Sequence, residues 1–528
     1  MRKILLSGLL AMSLTLTGCK GDPSKPEYWD NRISDAKNKK ERVHAVEELR
    51  KSKNMGDAML PVLAKHLGSD KSPEVKASIA RMLGEVKATS TVDALIDAID
   101  MGASDSDAKT MNKEIAVALG NIGDPKGVSA LVKLLGTKDN YTIIAAMDAL
   151  GTMKAKDGYD GLYRIAMDDT AEPFINKKAI MALGELGDAR AVPGLVKRMF
   201  TERKGISFYM ESSFALYQIG QPAADAVYPI VGNEDPELIK WAESNNIKPV
   251  ALPLKASQVV GDFHDMRAEK ALIGMLNAKV DFDDIKLLMR MKAADALGRL
   301  RSKEGAKAIA PLVLEEEPNA RREYVWALSR IGSAEALPKL IESASKGSWD
   351  ARAQSLRGIG MLGGEKELAA LEKIQKDEKK LIEDECKANE VECKDVDAQV
   401  TKHGETYAKY KKLLEAARDT KDAAGWLKLL DSSEEQIRER AAYEIGRSQN
   451  AAVAGELMGK LREKNLDTRL AIIQAIDWLV HDSKEAAAKA KAALPELQKQ
   501  LAEEKGKTEF VKVNEDLRRL AVKIDHSA

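Results

Sequence analysis

Apolar residues recur along this chain every three or four positions in stretches a few turns long, and each stretch ends at a polar or glycine-containing break. This is the period of helices with one buried face. The stretches also resemble one another. The phrases MLGEVKATSTVDALI, ALGNIGDPKGVSALV, ALGTMKAKDGYDGLY and ALGELGDARAVPGLV place an anchor at Gly84, Gly120, Gly151 and Gly184. The same phase continues through Tyr217, Gly261, Gly298, Ser329, Gly360, Gly446 and Asp477, with 31 residues as the commonest step. Eleven residues beyond the anchor stands a leucine in eight units: Leu95, Leu131, Leu162, Leu195, Leu272, Leu340, Leu371 and Leu457.

Each unit therefore predicts two helices. The first ends near the anchor, where glycine at that position or shortly after it suits a left-handed turn. The second begins at a cap such as Asp124-Pro125 or Asp188. Pro193 and Pro338 share one phase near its start, where a missing N–H costs little. One pair cannot bury its own apolar faces, so neighbours must stack into an all-α array. Composition agrees: aromatics are 5% of the 528 residues, which suits Ala- and Leu-rich helices better than strands. With 83 basic and 83 acidic side chains the formal charge is zero, which excludes nucleic-acid binding driven by a basic surplus.

One stretch interrupts the array. From Gly360 to Gly446 the step is 86 residues, and the excess lies in the Lys/Glu-rich segment 374–418, expected as a projecting helical hairpin. Residues 28–67, with Trp29 and Ile33, are expected to cap one end, and the tail from Leu494 to Ala528 the other. The expected organisation is 1–18, 19–27, 28–373, 374–418 and 419–528: leader, tether, repeats, hairpin, repeats with cap.

The leader MRKILLSGLLAMSLTLTGCKGD has Arg2 and Lys3 before an apolar run from Ile4 to Leu16, the pattern of a secretory signal peptide. Leu16-Thr17-Gly18-Cys19 resembles the lipobox of bacterial lipoproteins. That resemblance implies cleavage between Gly18 and Cys19 and a lipid anchor on Cys19. Lys20 after the cysteine implies, by the same family's sorting habit, an outer-membrane protein facing the periplasm. Two other thiols remain, Cys386 and Cys393, and an oxidising compartment predicts that they pair. In one continuous helix, residues seven apart lie about 10.5 Å apart, beyond the roughly 7 Å that a disulfide spans, so a bridge requires the chain to turn between them; the alternative is an unbroken helix with both thiols free on one face. The expected tip is Lys387 to Glu392.

The phrase around Gly184 is similar to HEAT repeats, and within them to the short HEAT-like repeats of phycobilisome lyases, over roughly 40–375 and 420–500. The resemblance implies an α-solenoid and leaves chemistry open. GIGMLG, Gly358 to Gly363, has the glycine spacing of a dinucleotide loop but falls on a repeat anchor with no preceding strand. The chain lacks the His-Glu dipeptides of deoxyhypusine hydroxylase, a HEAT-like di-iron enzyme. His264-Asp265 and His481-Asp482 are expected as solvated helix-end residues, although a solenoid could bring them together. Asp281, Asp283, Asp284 and Glu315 to Glu317 are expected to decorate helix ends. No catalytic, cofactor-binding or metal-binding residue is assigned, and no small-molecule substrate or nucleic acid is expected. The expected function is a non-enzymatic scaffold that binds protein partners on a concave surface lined by the second helices, with Lys133, Lys197, Arg198 and Lys339 as candidate contacts. Cofactor handling of the HEAT-like lyase type, and a passive spacer in the cell envelope, are the alternatives.

Overall fold

The computed structural model describes residues 21–52, 56–279, 283–315 and 317–527. Among the described residues there are 31 α-helices, and the strands Glu202–Arg203 and Ile206–Ser207 form a single small hairpin. The chain divides after Asp188 into two compact units.

In the first unit the helices Pro73–Glu85, Ser106–Ile122, Asn140–Thr152 and Pro173–Leu186 stack side by side, each successive pair in contact. The anchor glycines lie inside the last turns of these helices, and Gly84, Gly120 and Gly151 face the next helix. A Cβ on Gly84 would sit 2.7 Å from the Cα of Ala118, and one on Gly120 would sit 2.7 Å from the Cβ of Ala149. Ordinary carbon contacts begin near 3.5 Å, so a side chain here would push the neighbouring helix away. The facing residue is the alanine two positions before the next anchor, the Ala of the Ala-Leu-Gly phrase. In the second unit Gly298 faces Ala327 at 3.0 Å and Gly446 faces Ala475 at 2.8 Å in the same way.

At the anchor itself the role is close approach; the expected left-handed turn is made by the residue shortly after it. Termination comes three residues later. There Lys87, Gly123, Lys154 and Gly187 in the first unit, and Gly220, His264, Arg301, Gly332 and Gln449 in the second, adopt positive φ. A 3₁₀ turn then opens the second helix, starting at Thr89, Pro125, Lys156, Ala189, Met266, Ala334 and Ala451, always five residues after the anchor. Asp124 caps its turn by accepting from the Lys126 N–H at 2.9 Å. Pro193 and Pro338 fall in the first positions of Val192–Phe200 and Leu337–Ala344. All eight phase-matched leucines are buried. Trp29 and Ile33 are buried in the opening helix, Pro26–Ser34, as expected of a capping unit.

The second unit doubles back on itself. Ala251–Phe263, Asp283–Leu300, Pro318–Ile331 and Trp349–Leu362 form one row of first helices; Val396–Asp419, Glu435–Arg447, Leu466–Asp482 and Val511–Ser527 form the other. Hydrogen bonds tie the rows in antiparallel order. Arg440 Nη1 donates to the Gly360 carbonyl at 2.5 Å, Arg447 Nη1 to the Ser329 carbonyl at 2.7 Å, and Trp478 Nε1 to the Arg299 carbonyl at 2.9 Å. His264 meets Asp477 at 2.5 Å. The sequence separation of these pairs grows from 80 to 213 residues with distance from the turn.

The turn between rows is the segment expected as a charged spur. Its hairpin, Glu378–Ala388 with Val396–Asp419, carries the Cys386–Cys393 disulfide, with a Cα separation of 5.5 Å. Its base is core rather than projection: Ile382, Tyr407, Leu413 and Leu414 are buried, and Val396–Asp419 packs on Trp349–Leu362. The tail is likewise not a simple end cap. Val511–Ser527 lies along Leu466–Asp482 and also touches Tyr209–Ile219, the first long helix of its unit.

Truncating Leu131 to Ala removes a fully buried side chain from the stack and is expected to lower stability by about 2–5 kcal/mol. Lys133→Ala, on the exposed side of the same helix, should stay within about 0.5 kcal/mol. Urea titration of both variants checks the difference.

Candidate functional site

Between the two rows of the second unit lies a buried interior lined mostly by charged side chains. Arg299 pairs with Asp262 at 3.0 Å and Asp295 at 3.2 Å, and Arg330 also pairs with Asp295. From the C-terminal helix, Arg519 reaches Asp262 at 2.7 Å and Lys523 reaches Asp477 at 2.5 Å. Burial works against the charge on Asp295 and Asp477, but the cations prevail. Arg299 and Arg330 hold Asp295, and Lys523 and His264 hold Asp477, well below the usual carboxylate range. Burial first, and then the Lys523 charge, push His264 down to about 4. The remaining cavity, lined by Tyr217, Asp262, Arg299, Gln474 and Asp516 among others, has a volume of about 40 Å³. That is room for a few waters and too little for an organic ligand.

The solenoid does bring His264 and His481 together: their rings stack at 4.6 Å and 22°. His264 is buried, which corrects its expected place in solvent. The adjoining carboxylates are engaged by arginine, Asp265 with Arg267 at 2.6 Å and Asp482 with Arg301 at 2.8 Å. Among the described residues no group of three or more His, Cys, Asp and Glu is placed to hold a metal ion. Glu315 pairs with Arg290 at 2.7 Å, and Glu317 accepts from the Asn319 N–H at 3.3 Å; Asp281 and Glu316 lie outside the described residues.

A second buried cluster locks the hairpin base. The fully buried Arg352 donates to both oxygens of Glu378 at 2.7 and 2.6 Å. Glu378 also meets His403 Nδ1 at 2.7 Å and accepts from the Tyr407 hydroxyl at 2.6 Å. Trp349 stacks on His403 at 3.5 Å. Glu385, beside Cys386, accepts from the Trp349 N–H at 2.9 Å. Every polar group here faces a partner, so the cluster reads as a structural clasp.

Of the candidate partner contacts, Lys133 is exposed, Lys197 is exposed above the Trp241 ring at 5.7 Å, and Lys339 pairs with Glu342 at 2.9 Å. Arg198 is not a solvent position. It is 6% exposed, its guanidinium 4.9 Å from the Phe208 ring centre, because the hairpin after Val192–Phe200 folds Phe208 over that side of the helix. In the second unit the helices that face one another are the first helices, not the second ones expected to line a concave surface. Gly18 and Cys19 lie outside the described residues.

The first unit leaves its first-helix face open. Between Ser106–Ile122 and Asn140–Thr152 runs a groove of about 330 Å³ with an apolar floor of Val117, Ile144, Ala145 and Ala149. At its end stands Tyr141, 73% exposed. Beyond Tyr141 a polar trough of about 450 Å³ continues past Lys109, Lys113 and Asp139. Phe174, 59% exposed, occupies the position equivalent to Tyr141 one repeat later, ten residues before its anchor. Sequence reading passed over both aromatics because the repeat phase marks core positions, and theirs lies off the core face.

Two families match this architecture in sequence. HEAT repeats match residues 31–110, 287–360 and 312–386, and the PBS lyase HEAT-like repeat matches 113–137 and 177–200. The chain carries HEAT repeats over these segments. No curated protein matches it by sequence. Solved structures resemble it at low identity. The complex of CpcE and CpcF of phycocyanin lyase from Nostoc sp. PCC7120 is 19% identical, covering 52% of this chain and 97% of that one, with a TM-score of 0.27. Importin beta is 12% identical, covering 92% and 79%, with a TM-score of 0.38. Kap121p is 12% identical, covering 95% of this chain and 54% of that one, with a TM-score of 0.42.

The buried interior makes stability depend on pH with a definite sign. His264 binds its proton near pH 4 when folded and near 6.5 when unfolded, so the unfolded chain takes up the proton first as pH falls. Its contribution is complete above pH 6.5 and is lost as pH falls toward 4, at up to about 1.4 kcal/mol per pH unit. His481, also lowered by burial and Lys523, adds in the same direction, and Asp477 and Asp295 follow at lower pH. Thermal melts should show a lower midpoint at pH 4.5 than at pH 7.5; an equal or higher midpoint contradicts the assignment.

Proposed function

We propose that this protein is a non-enzymatic scaffold, held by a lipid on Cys19 at the periplasmic face of the outer membrane, that binds protein partners on its repeat surface. The observation that carries this reading is the open first-helix face of the first unit. An apolar groove and two matched, exposed aromatic residues lie on it, whereas the second unit buries the corresponding faces against each other. Exposed aromatic side chains beside an apolar groove are the composition of binding surfaces. Cofactor handling of the lyase type draws no support from the interior cavity, which is smaller than any organic cofactor. A passive spacer gives no reason for the two aromatics.

The anchor rests on Leu16-Thr17-Gly18-Cys19, which stands directly before the short segment leading into the helix Pro26–Ser34. Several acyl chains on one cysteine would fix the protein durably at a membrane surface, where one chain would not. Chemical cross-linking in membranes followed by purification tests the scaffold itself. A stoichiometric protein partner supports it, a co-purifying small molecule favours cofactor handling, and neither favours the spacer. Cys19→Ala should leave the protein unprocessed or move it from the membrane pellet to the soluble fraction; normal cleavage with continued pelleting contradicts the anchor.

A further inference from the structure

We infer that the groove bounded by Tyr141 is a docking site for a short peptide segment of a partner protein, one that carries acidic side chains next to aliphatic ones. The inference rests on the scaffold reading and names where and what the scaffold binds. From Tyr141 to Thr152 the groove follows eleven residues of helix, about 16 Å, a span matched by about five residues of extended peptide. Its two halves differ in chemistry. The floor beside Val117, Ile144 and Ala149 is apolar, while the trough past Tyr141 carries Lys109 and Lys113.

Charge selects the sign of the ligand. Asp139, the acid in the trough, already accepts from the N–H and the hydroxyl of Thr142, both at 2.8 Å, as the cap of its helix. Glu114 is buried and shared between Lys113 and Arg81, each at 3.2 Å, so one carboxylate is divided between two cations. Lys109, with the charge that this pair of cations keeps in excess, therefore sets what an incoming segment meets at that end, and carboxylates are the complement. At the far end the groove carries Asp148 in place of a lysine, so the acidic part of the segment belongs beside Lys109 and Lys113 and its aliphatic part over the floor. Tyr141 stands between the halves, large, amphipathic and able to order on contact at small entropic cost, as residues central to binding surfaces do.

A fluorescent octapeptide with glutamates followed by a Leu-Val-Leu run, and its counterpart with lysines for the glutamates, test the inference on the full-length protein. The acidic peptide should bind saturably and the basic one should not. Tyr141→Ala should weaken binding by about tenfold or more, the effect of removing a central aromatic contact. Lys109→Glu combined with Lys113→Glu should reverse the preference toward the basic peptide. Equal binding of both peptides, no binding of the acidic peptide, or affinity unmoved by these substitutions would overturn the inference. All three positions lie at the surface, so unchanged melting temperatures verify that the variants fold.

A photo-cross-linking residue at 141, and separately at 339, in membranes separates this inference from the reading beneath it. Protein adducts at 141 support both. Protein adducts at 339 alone leave the scaffold intact and remove this groove, lipid adducts at 141 replace the peptide with a membrane surface, and no protein adduct at either position removes the scaffold as well.

Discussion

The fold depends on one repeated contact, a glycine of one repeat facing an alanine of the next at a distance that leaves no room for a methyl group. Gly84 with Ala118 and Gly120 with Ala149 set the approach of first helices in the first unit, and Gly298 with Ala327 and Gly446 with Ala475 do so in the second. Close approach lets the residue between them, the Leu of Ala-Leu-Gly, enter the space between first and second helices. There it lies against the start of the second helix, as Leu119 does against Gly127 and Leu150 against Gly158, and the leucine eleven residues beyond the anchor is buried as well. The two residues after the anchor complete the helix, the left-handed third ends it, and the 3₁₀ turn redirects the chain. Each repeat thus hands its neighbour a defined surface, as a stacked array with no single central core requires.

In the second unit the same rule runs twice in opposite directions, and electrostatics joins the two rows. Charges follow the anchor directly at Asp262, Arg299 and Arg330, and they meet Asp295, Arg519 and each other in a nearly dry interior. Buried ion pairs of this kind repay their desolvation only when every partner is in place, so they add little stability over an apolar interface. What they add here is register. A slip by one repeat would leave Asp477 without Lys523 and His264, and Asp262 without Arg299 and Arg519, each an unpaired charge in low dielectric. The clasp around Glu378 does the same at the turn, where Arg352 from Trp349–Leu362 and His403 and Tyr407 from the second helix of the hairpin converge on one carboxylate.

The repeat was legible because its signals are local: the phase of the anchors, the leucines and the Asp124-Pro125 cap each depend on residues a few positions apart. The turn between Cys386 and Cys393 was legible because a bridge between two thiols seven residues apart is incompatible with the rise of one continuous helix. The doubling-back was not, because it rests on pairs 80 to 213 residues apart whose members are unremarkable separately. At the position directly after the anchor the first unit has Glu85, Asn121 and Thr152, all exposed, and the half-buried Glu185, while the second has the buried Asp262 and Arg299 and the half-buried Arg330. The residue type alone does not tell a solvated helix face from one pressed against another row. For the same reason His264 and the base of the 374–418 hairpin read as surface, and Tyr141 and Phe174, lying off the repeat phase, went unread.

A double-mutant cycle at Gly120 and Ala149 tests the glycine–alanine contact most directly. Inside a helix with no close neighbour, Gly→Ala stabilises by up to about 1 kcal/mol. If close approach sets the stack, Gly120→Ala instead destabilises by about 1–3 kcal/mol through overpacking. Ala149→Gly in the Gly120→Ala background should then recover part of that loss, with a coupling of about 1 kcal/mol or more. A stabilising Gly120→Ala, or effects that add to within about 0.5 kcal/mol, would mean that the two residues do not hold the helices at their spacing.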